Sequence, residues 1–80
     1  MAWSFARGVV AARLPQPRKA LFPQFRPEYV ERAGDGVFVV RATVGSADEY
    51  GNPVSYRFSV IANYRGNDIF EATEIELLRE

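Results

Sequence analysis

Residues 37–64 read VFVVRATVGSADEYGNPVSYRFSVIANY, two alternating apolar runs on either side of a polar loop. In the first run, 37–45, Phe38, Val40, Ala42 and Val44 share one parity, and Val37, Val39, Arg41 and Thr43 share the other. In the second, 54–64, Val54, Tyr56, Phe58, Val60, Ala62 and Tyr64 fall together, opposite Ser55, Arg57, Ser59, Ile61 and Asn63. Successive side chains of a strand point to opposite faces, so this period of two marks a pair of half-buried strands. A tight two-residue turn at Gly51–Asn52 fails, because the amide of residue 53 would have to donate to the carbonyl of Tyr50 and Pro53 has no such hydrogen. The spacing predicts instead a longer loop over Gly45–Asn52, with Gly51 at positive φ and Pro53 opening the second strand. Ser46, Asp48 and Glu49 then belong to a solvated tip, and Tyr50 folds back over the sheet edge.

Working outward, RGND (65–68) is a turn signal, with Gly66–Asn67 suited to a type II′ hairpin. The last segment, IFEATEIELLRE (69–80), is ambiguous, since Phe70 and Ala72 have one parity and Ile75 and Leu77 the other. A bulge near Thr73–Glu74 would bring all four to one side; a terminal helical turn is the competing assignment. Upstream, EYVERA (28–33) is a short strand and GDG (34–36) a turn. Before them, QPRKALFPQFRP (16–27) is an extended, proline-punctuated connector. At the start, WSFARGVVAARL (3–14) changes the period to 3.6: Trp3, Phe5, Ala6, Val9, Val10, Ala12 and Leu14 share a broad helical arc. Ser4 can cap this helix, and Arg13, which interrupts the arc, must reach outward along its stem. Pro15 and Pro17 end it. The assembly these segments imply is α+β: one N-terminal helix packed on a three- to four-stranded antiparallel meander, a single domain over residues 1–80.

Composition narrows the function classes. The chain of 80 residues has neither cysteine nor histidine, which removes disulfides, thiolate nucleophiles, zinc–sulfur sites and the commonest general base together. We expect no cofactor and no metal, and the lack of cysteine fits a cytoplasmic location. No stretch approaches the roughly 20 apolar residues of a membrane span. Net charge is zero but divided: the first 27 residues hold Arg7, Arg13, Arg18, Lys19 and Arg26 with no acid, and every one of the ten carboxylates follows. The expected explanation is a basic helix packed near an acidic sheet in one molecule; the alternative is an anionic partner for the basic segment. The opening has the basic, acid-poor, amphipathic character of a transit peptide. We expect it to remain part of the fold, because its apolar arc needs the sheet.

Two stretches carry a resemblance. LPQPRKALFP (14–23) has Leu14, Pro17, Ala20, Phe22 and Pro23 at L-x-x-P-x-x-A-x-F-P spacing, and residues 39–58 place Val44, Ser46, Tyr50, Gly51, Val54 and Phe58 in a matching strand–loop–strand. In these the chain resembles a small uncharacterised α+β domain of bacteria and phages, often found after a zinc ribbon or a membrane anchor. Gly45, Asp48 and Ser55 stand where that family has aspartate, asparagine and arginine. The resemblance implies a fold and supplies no catalytic residues.

Three function classes remain. Glu74 and Glu76 would share a strand face about 7 Å apart, a separation open to two-carboxylate chemistry, but we expect solvated strand residues there and no enzyme. An oxygen-only cation site from Ser46, Asp48, Glu49 and Asn52 lacks calcium-loop spacing. Arg7, Arg13, Arg18, Lys19 and Arg26 form a candidate anion-facing segment, for which nucleic acid is one partner class, although no sheet-type RNA-recognition signature is present. The favoured expectation is a small noncatalytic protein-interaction module whose contact face comprises Val39, Arg41, Thr43, Arg57, Ser59, Ile61 and Asn63, with Tyr50 as an added contact. Its partner is an unidentified protein, with a second copy of the chain as one candidate. A phage-borne inhibitor of a bacterial complex is the alternative.

Overall fold

The computed structural model describes residues 2–80. The fold is one N-terminal helix on a four-stranded antiparallel sheet, α1 (Ala2–Ala11), β1 (Val30–Gly34), β2 (Val37–Ala47), β3 (Pro53–Gly66) and β4 (Ile69–Arg79), with the strands ordered β1-β2-β3-β4. The α+β meander expected from the two periodicities is therefore present, with four strands. Among the described residues no helix is long and apolar enough to cross a membrane.

The central hairpin follows the parities of the sequence. Val37 pairs with Asn63 and the ladder runs without interruption to Ala47 opposite Pro53. Val40, Val44, Phe58 and Val60 are buried on one face, under Ala2, Trp3, Ala6, Val10 and Leu14. Ten helical residues span about 15 Å, whereas the 14 residues of β3 span about 45 Å. The helix can cover only part of the sheet. The connector covers more, with Ala20 and Phe22 packed against the core. The backbone of Leu21 exchanges two hydrogen bonds with Gly45, extending the β1 edge of the sheet past the end of β1.

Several boundaries differ from those the sequence predicts. The helix begins at Ala2, so Ser4 lies inside its first turn, and its hydroxyl accepts from Arg7 at 3.4 Å. Beyond Ala11 the amides of Arg13 and Leu14 bond three residues back and tighten the chain. This turns Ala12 and Arg13 outward and Leu14 inward. Glu28 and Tyr29 join a short 3₁₀ turn opened by Pro27, and β1 starts at Val30. β2 continues through Gly45, Ser46 and Ala47, leaving a loop of 48–52 only. The β3–β4 turn has Asn67 at φ 53° and Asp68 at φ 60°, a type I′ geometry centred one residue later than the type II′ turn expected.

The last segment is a bulged strand. Ile61 pairs with Glu74 while Ala62 pairs with Ala72, so Thr73 is the extra residue. Phe70, Ala72, Ile75 and Leu77 all pack against the core as a result. The helical-turn assignment is excluded.

Candidate functional site

The loop between β2 and β3 holds itself in shape. One Asp48 carboxylate oxygen accepts from the amides of Tyr50 and Asn52, each at 2.9 Å, and the other accepts from the Asn52 side chain at 3.3 Å. These donors favour the charged form and hold the Asp48 carboxyl below its ordinary value of 3.8, the Asn52 amide most strongly, against partial burial that pushes the other way. Gly51, at φ 84°, lets the chain reverse inside this loop. Ser46, expected at a solvated tip, is buried because β2 runs past it, and it donates to the Gln16 carbonyl at 3.3 Å. The Gln16 side-chain amide in turn donates to the Asp48 carbonyl. The loop is thus clasped to the connector. Asp48 is committed to N–H donors of its own loop and the Ser46 hydroxyl to the Gln16 carbonyl, so these oxygens are not held ready for a cation. Tyr50 does not fold back over the sheet: it is 82% exposed at the tip.

The face turned away from the helix does gather the expected residues. Val39 stands opposite Ile61, Arg41 opposite Ser59, Thr43 opposite Arg57, and Asn63 completes the row. Residues on β4 belong to this face as well: Glu74 beside Ile61, Glu76 beside Ser59 and Leu78 beside Arg57. Apart from Thr43 and Asn63, these residues line a trough of about 470 Å³ whose half-buried floor is Val39, Ser59 and Ile61. Leu78, 52% exposed, is an apolar wall. Asn63 donates to Thr73 at 2.9 Å and closes one end. Tyr50 lies outside the trough, on the loop beyond the other end. The contribution of β4 was hidden in the sequence by the Thr73 bulge; counting parity from Ile75 rather than from Phe70 places Glu74, Glu76 and Leu78 on this face.

Charge on the face is only partly balanced. Arg57 pairs with Glu80 at 3.3 Å and Arg41 approaches Glu31 at 4.0 Å. Both pairs are exposed and worth no more than about 1 kcal/mol each. Glu74 and Glu76 have no ion-pair partner among the described residues.

The basic segment does not pair with the sheet, contrary to the expectation drawn from the charge split. Arg26 meets Glu28 at 3.6 Å, within the connector region. Arg7, Arg13, Arg18 and Lys19 are exposed and make no ion pair among the described residues. The reason is geometric. The helix lies on the apolar face, and alternation sends Glu31, Glu74 and Glu76 to the opposite face. The helix arginine, Arg7, and these three carboxylates are separated by the thickness of the sheet.

In comparisons with known proteins, no family model, curated protein or solved structure matches this chain. The positions that carry the bacterial and phage resemblance have structural roles here: Leu14, Val44 and Phe58 are buried, Ala20 and Phe22 pack on the core, and Gly51 shapes the loop.

Proposed function

We propose that the chain is a small noncatalytic protein-interaction module, of the bacterial or phage type its sequence resembles, that docks a partner on the open face of the sheet. The observation that carries this reading is the trough itself: an apolar floor of Val39 and Ile61, an apolar wall at Leu78, and two carboxylates, Glu74 and Glu76, that make no ion pair among the described residues. Apolar area ringed by polar groups is the common anatomy of a protein interface. Glu74 and Glu76 favour a partner surface with basic side chains around an apolar centre. The titratable groups around the trough are exposed strand residues, which supports binding over catalysis. Docking of nucleic acid here is disfavoured, because Arg41 and Arg57 already face carboxylates and Phe58 turns its ring to the core.

Immobilised wild-type chain is expected to retain one protein or complex from bacterial lysate at fixed stoichiometry. The Glu74→Lys/Glu76→Lys double variant and Ile61→Asp, each confirmed folded by circular dichroism, should lose it. Solution mass of the purified chain identifies the case in which the partner is a second copy. Capture indifferent to these substitutions would place the contact elsewhere and refute the assignment.

A further inference from the structure

On the helix side of the sheet lies a second concavity, of about 590 Å³, which the interaction reading does not use. One wall is Trp3 from the start of α1 with Phe25 from the connector, ring centroids 5.8 Å apart. The other is Phe38, Tyr64 and Phe70 from the sheet, with Tyr64 and Phe70 centroids 5.1 Å apart and Phe38 and Phe70 6.3 Å apart. Phe25 and Tyr64 are 48% and 40% exposed, so ring surface in the groove is open to solvent. Gly36 lies at its base with φ 68°, and a Cβ there would come within 3.4 Å of the Tyr64 carbonyl.

The charges at the rim are unequal. Arg32 lines the groove, but its guanidinium is held by Asp35 at 3.2 Å and by the Gly34 carbonyl at 3.4 Å. Asp68 lines it too, its amide donating to the Tyr64 hydroxyl at 3.2 Å, and its carboxylate has no ion-pair partner among the described residues. Aromatic faces present negative quadrupole density, and a carboxylate beside them adds a full negative charge. This combination suits a cation with an apolar surface.

We infer that the groove between Trp3, Phe25, Phe38, Tyr64 and Phe70 is a binding site for a small methylated ammonium compound of the choline class, with Asp68 as its counter-charge. The volume falls in the range typical of small-molecule sites. Methyl groups on nitrogen spread the charge over a surface that rings can contact, which a hydrated primary ammonium does not offer. The site is independent of the open face, since the sheet separates them.

Trp3 is the only tryptophan, so its fluorescence reports on this groove. Titration of the full chain with choline is expected to saturate, while the neutral isostere 3,3-dimethylbutanol binds about fivefold more weakly or worse. Asp68→Asn should weaken choline about fivefold and leave the isostere unchanged, because asparagine accepts the positive φ of that turn and keeps the fold. Phe25→Leu preserves apolar volume but removes a ring, and it should also weaken choline selectively. Equal binding of choline and its isostere, or no saturation with either, overturns the inference. Binding of a trimethyl-lysine peptide without binding of choline overturns the small-molecule assignment.

Discussion

Asp48 shows how one side chain can decide whether a polar loop is a site or a support. Its sequence neighbours Ser46, Glu49 and Asn52 suggested a cation cradle as one option, yet the carboxylate is filled by N–H donors from its own loop. Because folding lowers its pKa below 3.8, the stabilisation it gives is complete above the unfolded value and is lost as pH falls through the lower folded value. Wild-type chain should therefore resist urea better than Asp48→Ala near neutral pH, and the two midpoints should draw together as the solution is acidified below 3.8. A difference that persisted unchanged into acid would show that the loop is held by something other than this charge. Tyr50 departs from the sheet-edge position expected for it and stands exposed at the loop tip. Its ring has no place over the sheet because the Asp48 turn fixes the backbone on both sides of it.

Among the elements, β4 records most plainly what alternation can and cannot tell. Phe70 and Ala72 disagree in parity with Ile75 and Leu77, and a single extra residue reconciles them. A bulge was legible from that disagreement, whereas the consequence for the open face was not, since it needs the register of β3 against β4. The Leu21–Gly45 bridge left no trace in the sequence at all: it is made by backbone groups, which carry no side-chain pattern. The extension of β2 through Ser46 was hidden for a similar reason, as Gly45 and Ala47 are too small to mark a face. The bulge yields a sharp contrast between two exposed threonines. Deleting Thr73 leaves Ala72 inward, Glu74 outward and Ile75 inward, so the ladder becomes regular and only the Asn63 hydrogen bond is lost. Stability should change by about 1 kcal/mol or less. Deleting Thr43 from the uninterrupted β2–β3 ladder would swing Val44, 1% exposed, to the open face. That variant should lose its cooperative urea transition while the Thr73 deletion keeps one.

In the whole molecule, the sheet is a partition with chemistry sorted to its two sides: an apolar face under a basic helix, and a mixed face carrying acids that the helix cannot reach. The sorting follows from strand alternation alone, and it explains why a net charge of zero does not bring neutral surfaces. It also bears on whether the first twenty residues are dispensable, as their resemblance to a transit peptide would suggest. Without them Val40, Val44, Phe58 and Val60, each no more than 1% exposed, would lose most of their cover. Re-exposing four such side chains costs about 6–12 kcal/mol, against a total stability of about 4–12 kcal/mol for a domain of this size. Residues 21–80 should therefore show no cooperative unfolding by circular dichroism in urea and should bind a hydrophobic dye in buffer. Adding residues 2–20 back as a separate peptide should restore a sigmoidal transition, since the lost term is burial and does not require covalent continuity. A sharp, dye-free transition in the truncated chain alone would mean that the strands are self-sufficient and the helix only rests on them.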